Sequence, residues 1–263
     1  MTESILTESR SGDVTTLTLN SPATLNALSE AMIAALSAAL GRIAQSDSRV
    51  VILKGAGRGF CAGHDLREMQ SWRSQTDGGR AAYQDLLARC TQMMEQIRNL
   101  PQPVIAQVHG IATAAGCQLV AVCDLAIAAQ DTKFGVNGVN IGLFCSTPMV
   151  ALSRNIPRKQ AFEMLATGSF IPASRAAELG LINRAVPAAD LEAEVQAMAA
   201  TLAAKLPAAL RIGKPAFYAQ IDQPLAQAWE TGSRAITENL MDPQTAEGMQ
   251  AFLEKRAMPW DQA

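Results

Sequence analysis

Aromatic side chains are scarce in this 263-residue chain. Phe, Trp and Tyr together make up 5% of it, too few for a base-stacking platform that would hold single-stranded nucleic acid. Charge is also sparse and balanced: Lys and Arg number 22 and Asp and Glu 24, a formal net charge of −2. No basic block marks a nucleic-acid or polybasic membrane surface, and no apolar run is long enough to cross a bilayer. The cysteines, Cys61, Cys90, Cys117, Cys123 and Cys145, include no C-x-x-C pair, and His64 and His109 are the only histidines. A disulfide framework and a zinc site are both poor readings; reduced thiols in a cytoplasmic protein are the expectation. Met1-Thr2-Glu3-Ser4 lacks the basic-then-apolar pattern of a secretory signal.

What the chain has in quantity is apolar side chain, 49% of residues, enough for a sizeable core in one large domain or a core with an appendage. Val14–Leu19 alternates and is β-rich, so it reads as a strand. Ser29 is placed to cap a helix carrying Met32, Ile33, Leu36 and Leu40 at helical spacing. Val50–Leu53, Pro103–Val108 and Leu125–Ala128 read as buried strands, and 81–98 as a helix preceded by an exposed, mobile loop at 74–79. A further helix opens near Ala115. From about residue 149 the pattern is helical, with Pro157, Pro172, Pro187 and Pro207 at helix entrances or breaks, and 190–257 reads as helices only. The expectation is a mixed α/β core followed by a helical part.

Gly57-Arg58-Gly59-Phe60-Cys61-Ala62 fits the glycine string of dinucleotide sites. No helix opens within it, however, and alternating parallel units do not follow. More telling are two small-residue turns, each closing a buried strand: Gly59-Phe60-Cys61-Ala62-Gly63-His64-Asp65-Leu66 and His109-Gly110-Ile111-Ala112-Thr113-Ala114-Ala115-Gly116-Cys117. Small residues let backbone approach a ligand, and a strand end or helix start leaves N–H groups unpaired. Two such groups, converging, would hold a developing oxyanion; two turns that merely pack would have the same composition.

With Leu25-Asn26-Ala27-Leu28, Val108-His109-Gly110, Gly116-Cys117-Gln118-Leu119, Cys123-Asp124, Phe134-Gly135 and Glu254-Lys255-Arg256, these turns make the chain resemble the crotonase, or enoyl-CoA hydratase/isomerase, superfamily from Val14 to Trp260. The resemblance implies an α/β fold: a crotonase-type spiral of ββα units over residues 1–195, binding acyl-CoA, and a C-terminal helical region over 196–263 that builds a homotrimer or a dimer of trimers. It implies a CoA thioester as substrate or ligand, no metal, no other cofactor, and no nucleic-acid or membrane partner. The oxyanion hole falls on the backbone N–H groups of His64 and Ala115. Leu25 and Ala27 fall near the adenine, Ala62 joins them as a CoA contact, and Arg67 takes the place of a phosphate-contacting lysine. Phe252 and Lys255 lie in a terminal helix that in this family reaches a neighbouring subunit's ligand.

One departure from the family bears on the chemistry. Its hydratases add water with two glutamates, and the corresponding positions hold Gln118 and Gly138. The glutamine amide does not titrate near neutral pH and glycine has no side chain, whereas general acid–base catalysis contributes roughly 100- to 10,000-fold. Efficient two-carboxylate hydration is therefore not expected; decarboxylation, isomerisation or a purely binding function remain open. His64 is a candidate proton carrier through its side chain, or serves by its backbone alone. Asn137 and Asn140 flank Gly138 and can hold a water or a carboxylate. Cys145 is a nucleophile only if a base or a lowered pKa activates it, and otherwise wall, with Leu143, Phe144 and Met149. Asp65 and Asp124 are expected to cap turns, and His109 to be a hydrogen-bonded strand-end residue.

Overall fold

A computed structural model of the chain describes residues 4–262; Met1 to Glu3, part of the segment read for a secretory signal, lie outside it. The order of elements is β1 (Leu6–Ser11), β2 (Val14–Leu19), α1 (Glu30–Ile43), β3 (Val50–Gly55), α2 (Leu66–Ser71), α3 (Arg80–Asn99), β4 (Val104–Val108), β5 (Ile111–Thr113), α4 (Ala115–Val122), β6 (Leu125–Ala129) and β7 (Lys133–Gly135). Then come α5 (Pro148–Asn155), α6 (Arg158–Thr167), β8 (Ile171–Pro172), α7 (Ala173–Leu179), β9 (Arg184–Val186), α8 (Leu191–Ala203), α9 (Pro207–Gln220), α10 (Leu225–Leu240) and α11 (Pro243–Leu253).

The main sheet runs β1-β2-β3-β4-β6-β9, parallel except for the β1–β2 hairpin. A smaller sheet runs β5-β7-β8. The continuous apolar run of β3 follows from burial on both faces. Val51 and Leu53 join the larger core with α1 and α3, while Val50 and Ile52 meet Leu191, Val195 and Ala199 of α8 on the opposite face. Ser29 caps α1 as expected, its hydroxyl accepting from Met32 N–H at 3.2 Å, and Met32, Ile33, Leu36 and Leu40 are buried. This mixed α/β architecture and its C-terminal helices agree with the sequence reading.

Several elements differ from that reading. β1 was not expected, because five of its six residues are exposed and carry no alternation. β5, β7, β8 and β9 have two or three residues each, too few for a period to show. The boundary drawn between residues 195 and 196 cuts α8, whose Val195 and Ala199 both pack on the sheet. Residues 74–78 are exposed and Gly79 is buried, with Asp77 accepting from Gly79 N–H and Ala81 N–H at 2.9 Å each, so that the segment starts α3.

Asp124 does more than cap a turn. Its Oδ2 accepts from Val104 N–H at 2.7 Å and pairs with Lys214 Nζ at 2.7 Å; its Oδ1 accepts from Tyr218 Oη at 2.9 Å. Lys214 also donates to the Ile97 and Gln102 carbonyls at 3.0 Å each. One buried carboxylate thereby fastens α9 to the core. Beyond it, α10 exposes Leu225, Trp229, Ile236 and Leu240, a stripe at helical spacing.

Candidate active site

The two small-residue turns lie side by side. Cys61 N–H donates to the Ile111 carbonyl at 3.1 Å and Thr113 N–H to the Cys61 carbonyl at 3.0 Å, a short ladder with Cys61 opposite Ala112. On its other edge the first turn is pinned by Leu28 N–H, which donates to the Gly63 carbonyl at 2.7 Å. Asn26, fully buried, secures the approach: Nδ2 donates to the Ala56 and Gly59 carbonyls at 2.9 and 2.8 Å, and Oδ1 accepts from Ser21 N–H at 2.9 Å.

This closeness requires glycine at two points. A Cβ on Gly116 would collide with the Cys61 carbonyl, and one on Gly63, whose φ is +90°, would stand 2.9 Å from Ala114 Cβ and 3.2 Å from Ala115 N. Ala114 itself has φ 50° and ψ −121°, outside the regions an L-residue favours. That conformation swings the chain from β5 into α4. Ala115, first in the helix, has no intrahelical acceptor for its N–H. Among the described residues, neither the His64 nor the Ala115 N–H donates to a backbone acceptor.

Both turns face a cavity of about 680 Å³. Its wall includes Leu25, Ala27, Ala62 and Arg67, expected as CoA contacts, together with His64, Ala115 and Gly138. Leu143, Phe144 and Cys145 complete an apolar side. Thr113 and Arg58 also line it; neither had been singled out, since Thr113 reads as a plain strand residue and Arg58 as part of a glycine string. Asp65 is the one carboxylate in the wall, and its Oδ1 caps α2 by accepting from Arg67 N–H at 2.8 Å and Glu68 N–H at 3.3 Å.

Five other singled-out residues lie elsewhere. Gln118 is buried in α4 and is not part of the wall, its Oε1 without a partner among the described residues. Asn140 is exposed and donates from Nδ2 to the Gly168 carbonyl at 3.3 Å, bracing the end of α6 rather than facing the cavity. Phe252 lines a separate apolar groove of about 570 Å³ with Leu206, Gly248 and Trp260, and Lys255 follows α11 with φ 53°. Within one chain neither reaches the cavity wall. Met149 is partly exposed on α5 and also stands outside the wall.

The polar side chains divide plainly. His64 Nδ1 donates to the Leu28 carbonyl at 3.3 Å, and Nε2 is buried with no partner among the described residues. Burial pushes the imidazole pKa below its ordinary value, the Leu28 bond only partly opposing this, so the ring is neutral near pH 7. Burial likewise raises the Cys145 thiol, opposed in part by the Gly138 N–H, and pushes Cys117 up to about 12. Neither is an activated nucleophile. His109 is a strand-end residue, its Nε2 2.8 Å from the Gly57 carbonyl.

Comparison with known proteins agrees with this architecture. The enoyl-CoA hydratase/isomerase family model matches residues 9–263. A Rattus norvegicus protein named enoyl-CoA hydratase domain-containing protein 3, mitochondrial, is 42% identical over 97% of this chain and 84% of its own. A crystal structure described as enoyl-CoA hydratase from Mycobacterium smegmatis superposes with a TM-score of 0.95 at 52% identity, covering 98% of this chain and all of that one. The human enoyl-CoA hydratase domain-containing protein 3 structure gives 0.92 at 40% identity over 97% and 100%.

Proposed function

The chain belongs to the enoyl-CoA hydratase/isomerase family of enzymes, and from that premise we propose that it binds an acyl-CoA thioester in the cavity between its two small-residue turns and stabilises the enolate of that thioester on the His64 and Ala115 N–H groups. The observation that carries the reading is the pairing of these turns. Two backbone donors without partners among the described residues open on one cavity, held by a ladder and by glycines that admit no Cβ. Donors fixed before reaction stabilise charge that develops in the transition state without reorganising, and removal of one such donor typically costs roughly 100- to 1000-fold. Leu25, Ala27, Ala62 and Arg67 are the proposed CoA contacts, and Arg58 adds a second cation to the wall.

The proton-handling half of a hydratase is missing from this reading. Gly138 has no side chain, Gln118 has no titratable proton, and Asp65 caps α2 through its Oδ1. Decarboxylation, in which departing carbon dioxide itself leaves the enolate, suits the cavity better than water addition; isomerisation, which must also move a carbon-bound proton, would need an ordered water to carry it. The proposed chemistry calls on no metal or redox cofactor. A non-catalytic acyl-CoA-binding or regulatory protein is the second reading, and the same missing carboxylates favour it.

The apolar stripe of α10 and the groove at Phe252 support self-association through the C-terminal helices, a homotrimer or a dimer of trimers, in which Phe252 and Lys255 would meet a neighbour's ligand. The five unpaired, buried cysteines support a reducing compartment, the cytoplasm; the word mitochondrial belongs to the names of relatives.

The test is incubation with crotonyl-CoA and with a panel of acyl-CoAs in deuterated water, read by mass spectrometry. Deuterium uptake at the α-carbon or carbon dioxide release, with little hydration, is the expected result. Hydration at the pace of a two-glutamate hydratase would overturn the reading of Gln118 and Gly138. Tight binding with no exchange would favour the second reading, and absence of any CoA binding by calorimetry would discard both.

A further inference from the structure

At the inner end of the cavity, β5 and β7 run parallel with Thr113 opposite Gly135. The next residues along each strand are the ones that bend away: Ala114 into α4, and Val136 and Asn137 into the 3₁₀ turn Asn137–Ile141. Thr113 and Asn137 therefore end side by side, and both line the cavity beside Ala115 and Gly138. Thr113 is buried, and its hydroxyl donates to Asn137 Oδ1 at 2.5 Å. That bond fixes the plane of the amide and takes one lone pair of its oxygen. The Nδ2 group, with two protons, makes no hydrogen bond to the described residues.

The surroundings give this donor no partner of their own. No side chain projects from Gly138, and Leu143, Phe144 and Cys145 are the apolar neighbours on that side. The wall's cations sit with other segments: Arg58 follows Gly57, which packs against Pro22 (a Cβ there would lie 2.6 Å from Pro22 Cβ), and Arg67 lies in the first turn of α2. A donor held in a partly desolvated wall is satisfied only by an oxygen that a ligand or a water brings to it, and a site built to hydrogen-bond a group discriminates against the analogue that lacks it.

We propose that Asn137, oriented by Thr113, is a specificity-determining donor that selects acyl thioesters carrying a second hydrogen-bond-accepting oxygen on the acyl chain, over plain hydrocarbon chains. The inference rests on the acyl-CoA reading above. It assigns to Asn137 no proton transfer and no contact with the thioester oxygen.

The test is calorimetric binding of butyryl-CoA, 3-hydroxybutyryl-CoA, acetoacetyl-CoA and malonyl-CoA, with free CoA as the control, to the full chain and to Asn137→Ala and Thr113→Val. These acyl groups separate a hydroxyl, a ketone and a carboxylate as the source of the oxygen. The unmodified protein should bind at least one oxygenated thioester about tenfold more tightly than butyryl-CoA. Asn137→Ala should erase that ratio while leaving butyryl-CoA and free CoA unchanged. Thr113→Val, near in shape, should reduce the ratio by releasing the amide. Equal affinities in the unmodified protein, or a ratio that survives Asn137→Ala, would overturn the proposal while the acyl-CoA reading stands. Failure of every thioester and of free CoA to bind would overturn both.

Discussion

A side chain on Gly138 would begin 2.9 Å from Cys145 Sγ and would collide with the Leu143 carbonyl oxygen. The space that a carboxylate would need is thus taken by backbone and by a thiol from the segment that follows the 3₁₀ turn. The missing acid is not a simple truncation that leaves a hole; the wall has closed over it.

Restoring the two carboxylates tests this. Gly138→Glu, alone or with Gln118→Glu, is expected to give no gain in crotonyl-CoA hydration, because the new Cβ must displace the Leu143 carbonyl before its carboxylate can face the cavity. Overpacking of this kind costs about 1–3 kcal/mol, so the thermal midpoint should fall. A double variant that hydrates crotonyl-CoA at a pace well above the unmodified chain, with an unchanged midpoint, would show that the segment yields freely.

The bend that presents Ala115 N–H stores strain that can be released. Ala114 holds φ 50° and ψ −121°, a conformation glycine adopts without a Cβ penalty. Ala114→Gly is expected to stabilise the fold by roughly 1 kcal/mol, read by urea denaturation. Gly63→Ala should do the reverse, by about 1–3 kcal/mol or more, since it combines φ +90° with a Cβ 2.9 Å from Ala114 Cβ. If both substitutions moved stability in the same direction, the two turns would not be packed as described.

His64 links stability to pH with a definite sign. Its folded pKa lies below the unfolded value of about 6.5. The unfolded chain then takes up a proton first as pH falls, so stability is lost from about pH 6.5 down through the folded pKa, and the loss levels off below it. His64→Asn removes the titrating group. The difference in thermal midpoint between the two proteins should therefore change across this window and be constant above pH 7. A difference independent of pH would place the ring outside its buried setting.

Much of this arrangement is legible in the sequence, and the rest is hidden for identifiable reasons. β2 alternates because one face is buried, and Val50–Leu53 of β3 are all apolar because both faces are; each pattern is local. The turns at Gly63 and Ala115 stand out because close backbone packing leaves no choice but small residues. By contrast, the edge strand β1 carries six residues, LTESRS, whose exposure erases any period. Gly138 reads as an absence in sequence, while its collision with Leu143 exists only in three dimensions. Thr113 gives no sign that its hydroxyl orients an amide 24 residues away. The bond joins the ends of two paired strands, and strands this short leave no mark of their pairing.

The same limit applies to Asp124, whose partner Lys214 lies 90 residues away. Both side chains are largely buried, with side-chain exposures of 14% and 7%. Burial raises the carboxyl pKa and lowers the ammonium pKa, while each partner pulls the other back toward its charged form. Removing one charge leaves the other buried and unpaired, at a cost of about 3–5 kcal/mol. Lys214→Met strands Asp124 with only Val104 N–H and the Tyr218 hydroxyl as donors, and Asp124→Leu strands an ammonium held by two carbonyls. The double variant Asp124→Leu/Lys214→Met removes both desolvation costs, so it should recover much of the loss of either single variant. Chemical denaturation of the four proteins completes the cycle. Losses that simply add would show that the pair is solvated, and that α9 is held to the core by its apolar contacts instead.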